Sequence, residues 1–99
     1  MSAMHNPPHP GEVLKDGVFA DHKITVTAFA ERIGISRVML SRVLNCRAGV
    51  TADMAVRLAT VLGTSAEVWL QMQSSYDLWR ARQALKKVVA KIRPLTVTA

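Results

Sequence analysis

The chain has 99 residues, of which 49% are hydrophobic, so it suits one compact domain that folds without disulfide or metal support. Its single cysteine, Cys46, excludes an internal disulfide framework and indicates a reducing compartment, and no apolar run approaches the roughly 18–20 residues that span a bilayer. The net charge of +6 comes from the C-terminal end, because acidic and basic residues balance over residues 1–79 and only bases follow.

The N-terminal segment predicts an arm followed by a helix. Residues 1–9 are rich in proline and lack the apolar stretch of a signal peptide, so we predict a flexible arm on a cytoplasmic protein. Pro10 suits the first position of a helix, and Glu12 complements the helix dipole in the first turn. Four apolar residues then predict a helix that continues to about His22: Val13, Leu14, Val18 and Phe19.

The segment Thr25–Arg47 predicts a helix-turn-helix. Its first residue is an N-cap for a helix over Val26–Ile33, which ends at Gly34 because glycine tolerates a positive φ. Ser36 caps a second helix over residues 37–45. The sequence therefore places two short helices on either side of a tight turn.

The side chains of this segment meet the demands of a helix-turn-helix better than those of an ordinary helical hairpin, which is the alternative. Ala30 supplies a small residue where the helices cross, and Ile35 supplies a branched apolar residue after the turn. The predicted shared core is Phe29, Ile33, Leu40 and Val43.

Two further helical stretches follow the loop at residues 46–50. Thr51 predicts an N-cap for a helix that Gly63 ends, with apolar residues at 3–4 spacing. Thr64 with Glu67 forms a capping-box pattern for the next helix, which Ser74-Ser75 interrupts in our prediction. We found no alternating strand pattern, so we predict an all-α fold of five to six helices in one domain over residues 1–99.

The C-terminal stretch 76–93 predicts an extended basic helix. It carries six bases and no acid after position 79: Arg80, Arg82, Lys86, Lys87, Lys91 and Arg93. Its apolar stripe predicts a homodimer interface at Leu78, Ala81, Leu85 and Val88. The alternative is that this stripe packs only on its own domain.

The second helix of the helix-turn-helix has an outer face suited to DNA bases. Helical spacing places Arg37, Val38, Ser41 and Arg42 opposite the core positions. Arginine can bind guanine bidentately, valine can contact a thymine methyl group, and serine can adapt to several partners. The alternative for the two arginines is a solvated surface or phosphate contact alone.

Four residues at helix ends predict contacts with the phosphate backbone. They are Thr25, Ser36, Asn45 and Arg47. Hydroxyls, amides and helix N-termini commonly bind phosphates and fix the register of a protein on DNA. The two hydroxyl residues are equally explained as N-caps.

Residues 25–63 resemble the helix-turn-helix of the phage-repressor (Xre/Cro-like) superfamily, and the chain as a whole is more closely similar to the HigA-type antitoxins within it. The resemblance is carried by HPGEVL (9–14), SRVMLSRVLN (36–45), GVT (49–51) with MA (54–55), GTSAEVWL (63–70) and YDLW (76–79). It implies that Arg37, Val38 and Arg42 read bases, with Ser41 beside them. Relatives usually have glycine where this chain has Cys46. If the backbone is left-handed at this position, we expect the cysteine side chain to carry a steric cost that glycine would not.

The resemblance also implies partners. A HigA-type antitoxin binds double-stranded operator DNA as a dimer and captures a HigB-like toxin, a small basic mRNA endonuclease. We expect a basic toxin to contact the N-terminal arm and the first helix, where Glu12, Asp16 and Asp21 complement its charge. The alternative within this class is a stand-alone Xre-type regulator without a toxin.

Other functions have less support in the sequence. His5, His9 and His22 make no recognised metal spacing, and no glycine-rich phosphate loop or nucleophile–base pair is present, so we predict neither an enzyme nor a cofactor. A single-strand RNA binder could stack bases on Trp69 and Trp79 beside the basic end. Redox switching at a lone loop cysteine is a further alternative.

Overall fold

The computed structural model describes residues 6–96, and that range contains helices and no strand. This confirms the predicted all-α fold. The chain runs through α1 (Pro10–Leu14) into a π-helical segment (Lys15–Phe19), then α2 (Val26–Ile33), α3 (Arg37–Leu44), α4 (Ala52–Leu62), α5 (Ala66–Ala84) and α6 (Lys86–Val89). A single apolar core lies between the helices and consists of Leu14, Phe29, Ala30, Ile33, Leu40, Val43, Leu44, Val50, Met54, Ala55, Leu58 and Trp69.

The N-terminal helix begins at a buried histidine. The Nδ1 atom of His9 accepts a hydrogen bond from the backbone N–H of Gly11 at 2.8 Å. The Glu12 carboxylate accepts one in return from the backbone N–H of His9, which completes a capping box. His9 is therefore part of the folded body, and the predicted arm over residues 1–9 is wrong at its last residue; residues 1–5 lie outside the described range.

The turn between α2 and α3 follows from one glycine. Gly34 adopts φ +75°, and its N–H donates to Glu31 while the N–H of Ile35 donates to Ala30 at 3.0 Å. These two bonds form a Schellman motif, which brings Ile35 back against the last turn of α2. The four predicted core residues of the helix-turn-helix are buried, as the sequence indicated.

The start of α5 differs by one residue from the capping-box prediction. Ser65, not Thr64, is the N-cap, and its hydroxyl accepts from the N–H of Val68. The hydroxyl of Thr64 accepts instead from the indole N–H of Trp69 at 2.8 Å. The helix also continues through Ser74-Ser75 without a break, so the predicted interruption there is wrong.

The C-terminal helix is divided, in contrast to the continuous helix predicted over residues 76–93. α5 ends at Ala84, Leu85 interrupts the helix, and α6 ends at Val89. Residues 80–96 are all exposed, so the tertiary packing that supplies most helical stability is missing there. This projecting end accounts for a molecule of 56 × 27 × 22 Å.

Candidate nucleic-acid interface

The outer face of α3 is open to solvent. Its inner residues, Leu40 and Val43, are fully buried, whereas Arg37 and Arg42 are exposed and Val38 is 71% exposed. Ser41 is half-buried beside them. The structure thus brings the four predicted base-reading residues to one accessible helix surface.

One residue of this surface was missed by the sequence analysis. Met39 is also exposed, at the first turn of α3, although methionine is most often a core residue. Its position one residue before the buried Leu40 is the signal that could have identified it. The exposed face therefore combines guanidinium groups with two apolar side chains, Val38 and Met39, which suit the methyl groups of thymine.

The two predicted hydroxyl contacts are N-caps in the structure. Thr25 Oγ1 accepts from the N–H of Ala28 at 3.0 Å, and Ser36 Oγ accepts from the N–H of Met39 at 3.0 Å. Each hydroxyl uses a lone pair in the cap and keeps its own hydrogen for a further acceptor. The cap role and the phosphate role are compatible, and both residues are exposed.

The end of α3 is a second Schellman motif, formed around Cys46. The N–H of Cys46 donates to Val43, and the N–H of Arg47 donates to Arg42 at 2.8 Å. Cys46 takes φ +60°, the left-handed conformation that glycine would take without steric cost. The side-chain amide of Asn45 donates to the Ser41 carbonyl at 2.9 Å.

Replacement of Cys46 by glycine is expected to stabilise the protein by about 1 kcal/mol, because it removes the steric penalty of a side chain at positive φ. Thermal unfolding followed by circular dichroism would measure a rise in Tm of about 4–8 °C. The matched control is Gly63→Ala. Gly63 has φ +72° and no atom within 4 Å of an added Cβ, so this substitution places a side chain at positive φ without creating a new contact. A Cys46→Gly protein no more stable than wild type would show that the turn is relaxed.

The thiol of Cys46 is not activated for redox chemistry. Burial raises its pKa above the ordinary value. Because the thiolate is the reactive form, a raised pKa lowers the reactivity of the group at neutral pH. This argues against the redox alternative for Cys46.

The turn of the helix-turn-helix is also held by an arginine that the sequence analysis missed. Arg57, on α4, donates from Nη1 to the carbonyl of Ile33 at 2.7 Å and to that of Gly34 at 3.2 Å. The Nε atom of Arg57 forms a salt bridge with the carboxylate of Asp53, four residues earlier on the same helix. Lysine or arginine bound to terminal carbonyls is favourable at a helix C-terminus. The Asp53–Arg57 spacing signals the ion pair between these two residues but not the contact of Arg57 with the turn.

A buried glutamine holds the loop that follows α3. Gln73 on α5 accepts through Oε1 from the N–H of Val50 at 2.7 Å and donates through Nε2 to Asp77 at 3.0 Å. The same helix places the ring of Tyr76 edge-on to His9, with the ring centroids 4.8 Å apart. α5 therefore contacts both the N-terminal cap and the loop carrying Arg47.

The surroundings of His9 favour its neutral form. Its burial lowers its pKa below the ordinary value, and the charges of Asp77 and Glu12 and a hydrogen bond to the backbone of Ala48 offset only part of that effect. Because Nδ1 accepts the bond from Gly11, a proton on Nδ1 would break the cap. Neutral His9 thus stabilises the start of α1.

We expect the protein to become less stable as the pH is lowered, because His9 becomes protonated. The unfolded chain has the higher pKa, about 6.5, so this contribution is complete above that pH and is lost as the pH falls toward the folded-state pKa. The variant His9→Asn keeps a capping side chain that does not titrate, so its Tm should change less between about pH 7.5 and pH 5. Equal pH profiles for the two proteins would contradict this role; His22→Asn, which replaces an exposed imidazole, is the control.

The predicted dimer residues are all exposed in this single chain. Leu78, Leu85 and Val88 are 51%, 46% and 51% exposed, Ala81 is also exposed, and Val89 and Ile92 add further exposed apolar surface. This exposure argues against the alternative that the stripe packs only on its own domain. Contiguous exposed apolar surface usually marks an interaction site.

The two tryptophans do not form a stacking platform. Trp69 is 4% exposed and its indole is hydrogen-bonded inside the fold, while Trp79 is half-buried. A stacking surface needs an accessible ring face, so the structure gives no support to single-strand RNA binding. In the described range, residues 6–96, no helix has the length and apolar character needed to cross a membrane, and no three potential metal ligands cluster.

A compact helical body with an accessible second helix after a glycine turn defines the class of helix-turn-helix proteins. Comparison with known proteins agrees: the helix-turn-helix family pattern matches residues 20–69. Antitoxin HigA-1 of Vibrio cholerae is 37% identical over 89 residues, which cover 89% of this chain and 83% of that protein.

Solved structures show the same similarity. Antitoxin GraA superposes with a TM-score of 0.88 at 33% identity, covering 92% of this chain and 99% of that one. The structure of Pseudomonas aeruginosa antitoxin HigA with the higBA promoter has a TM-score of 0.85 at 35% identity, covering 91% and 99%. The chain belongs to the HigA-type antitoxin branch of the Xre-like helix-turn-helix family. This family consists of DNA-binding regulators and not of enzymes.

Proposed function

We propose that the chain is a sequence-specific repressor that binds the operator of its own gene and also serves as the antitoxin for a HigB-like toxin. The observation that carries the DNA-binding part is the exposed face of α3, which presents Arg37, Val38 and Arg42. The opposite side of this helix is buried in the core, and its N-terminus is capped by Ser36. The similar Pseudomonas aeruginosa protein was solved with promoter DNA. A role on operator DNA implies a cytoplasmic protein.

On DNA, we propose that α3 enters the major groove and that the residues at the helix ends bind phosphates. Arg37 and Arg42 are exposed and can present their guanidinium groups to guanine, and Ser41 lies between them on the same face. Thr25 and Ser36 would donate their hydroxyl hydrogens to phosphate oxygens. Asn45 and Arg47 would continue these contacts beyond α3.

The test of base reading is the variant Arg42→Ala. On a duplex from the region upstream of the gene we expect a loss of about 1–3 kcal/mol in binding, with a much smaller loss on random duplex DNA. Fluorescence anisotropy with both duplexes measures the difference. Arg32→Ala, which removes an exposed arginine from α2, is the control and should affect neither. Equal losses on both duplexes would make Arg42 a phosphate contact only.

We further propose that the protein acts as a homodimer through the exposed stripe Leu78, Ala81, Leu85 and Val88. One short recognition helix reads only a few base pairs, so two copies on half-sites about 34 Å apart supply the specificity. The exposure of the stripe supports this arrangement. The acid-free stretch after residue 79 adds phosphate attraction that weakens with salt.

The toxin partner is proposed from the family. Glu12, Asp16 and Asp21 are exposed on the N-terminal helical stretch and at its end, where they can meet a basic partner. Co-expression with the small basic protein encoded beside this gene, followed by copurification, tests the assignment. If no such neighbour exists or none binds, the chain is a stand-alone Xre-type regulator.

A further inference from the structure

The loop Cys46–Val50 connects the recognition helix to α4 and carries Arg47. Its first half is held by the Schellman bonds at the end of α3. Its last residue, Val50, has a buried side chain and a backbone N–H that no bond within the loop satisfies. The position of this loop therefore depends on what accepts a hydrogen bond from Val50.

That acceptor is Gln73, which is 9% exposed and lies 23 residues further along the chain. Its Oε1 is 2.7 Å from the Val50 nitrogen. Its Nε2 donates to the Asp77 carboxylate at 3.0 Å, and since a carboxylate only accepts, this bond orients the amide with its oxygen toward the loop. Methionine would fill a similar volume, but its thioether cannot donate to Asp77 and is only a weak acceptor for the Val50 N–H.

The backbone of the loop also leaves room for this amide. A Cβ atom on Gly49 would lie 3.1 Å from both Cδ and Nε2 of Gln73, closer than ordinary contact. Arg47, Gly49 and Gln73 line one surface recess together with His9 and Tyr76. The glutamine thus contacts the loop from the side of the protein interior, while the Arg47 side chain is exposed to solvent.

We propose that Gln73 is a positioning residue for DNA binding: it holds Val50, and through it the loop, so that Arg47 meets a phosphate of the DNA backbone. Gln73 does not itself touch DNA. This inference rests on the proposed DNA-binding function. It predicts that loss of the amide removes the contribution of Arg47 while the base-reading face of α3 stays intact.

The test compares Gln73→Met with Gln71→Met, since Gln71 is an exposed glutamine on the same helix. Binding to the upstream duplex is measured over a salt series. Each phosphate contact that is lost lowers the magnitude of the slope of log affinity against log salt by about 0.9 and the affinity at about 0.15 M salt by about fivefold. A bound dimer loses one contact in each protomer, so its slope changes by about twice that amount. We expect this result for Gln73→Met and for Arg47→Ala, and no change for Gln71→Met.

The double variant Arg47→Ala with Gln73→Met separates positioning from general destabilisation. It should bind no more weakly than Arg47→Ala alone, because the same contact is lost once. Hydrogen exchange at the Val50 amide should accelerate in Gln73→Met and not in Gln71→Met. All measurements are made where circular dichroism shows each variant folded. Should Gln73→Met be unfolded, Asp77→Ala, which frees the amide to rotate, replaces it, and its measure is faster hydrogen exchange at the Val50 amide, because the loss of a negative charge changes DNA attraction by itself.

Additive losses in the double variant, or an unchanged salt slope in Gln73→Met, would overturn the positioning role. If Arg47→Ala leaves binding unchanged while Arg42→Ala weakens it, the positioning role falls and the DNA-binding function stands. If neither arginine variant alters binding to the upstream duplex, the proposed function itself falls.

Discussion

Alanine at Gly11 is expected to destabilise the protein by about 3 kcal/mol or more, which is a large fraction of the roughly 5–15 kcal/mol that typically separates the folded from the unfolded state. A Cβ atom at this position would lie 1.9 Å from the backbone carbonyl oxygen of Val43, in the last turn of α3. A backbone atom cannot rotate away, so α1 must move off α3. The cap from His9 to the Gly11 N–H would then be distorted as well.

The matched control for this substitution is Gly17→Ala. Gly17 lies in the π-helical segment, and a Cβ atom added to it would meet nothing within 4 Å. Alanine there should stabilise by about 0.5–1 kcal/mol, because it restricts the unfolded chain without a clash. Urea unfolding of the three proteins measures the difference. Similar effects at the two glycines would show that the α1–α3 contact is not tight.

The helix-turn-helix was predictable because its determinants are local. The caps Thr25, Ser36 and Thr51 each bond to a backbone N–H three residues ahead, and the glycine ends depend on one backbone conformation. The single wrong cap shows the limit of such signals. Thr64 and Ser65 can both cap a helix, and the choice depends on the indole of Trp69, which takes the hydroxyl of Thr64.

The contacts that hold the candidate interface in place were not predictable in the same way. Arg57 reaches the turn 23 and 24 residues earlier, and Gln73 reaches the loop 23 residues earlier. Both are polar residues on helices, which a sequence pattern assigns to the solvent side. Only the packing of α4 and α5 against the helix-turn-helix reveals their partners. The break at Leu85 was likewise hidden, since the apolar spacing continues through it.

Lysine at position 88 is expected to convert the protein to a monomer and to lower its affinity for the operator by about 10²–10⁴-fold, the gain that linking two half-sites provides. In a two-fold symmetric interface the same residue occurs on both sides, so one substitution places two like charges near each other. Val88 is 51% exposed in the single chain, and the substitution does not disturb the core. Sedimentation gives the oligomeric state, and anisotropy on the upstream duplex gives the affinity.

The control is Val56→Lys, because Val56 is a valine of similar exposure, 58%, on α4 and outside the proposed interface. Both variants add one positive charge, which by itself strengthens attraction to DNA. A loss of operator binding at Val88 therefore runs against the electrostatic effect of the substitution and can be assigned to lost dimerisation. If Val88→Lys sediments as a dimer and binds as well as Val56→Lys, the C-terminal stripe is not the dimer interface, and its exposed apolar residues bind another partner.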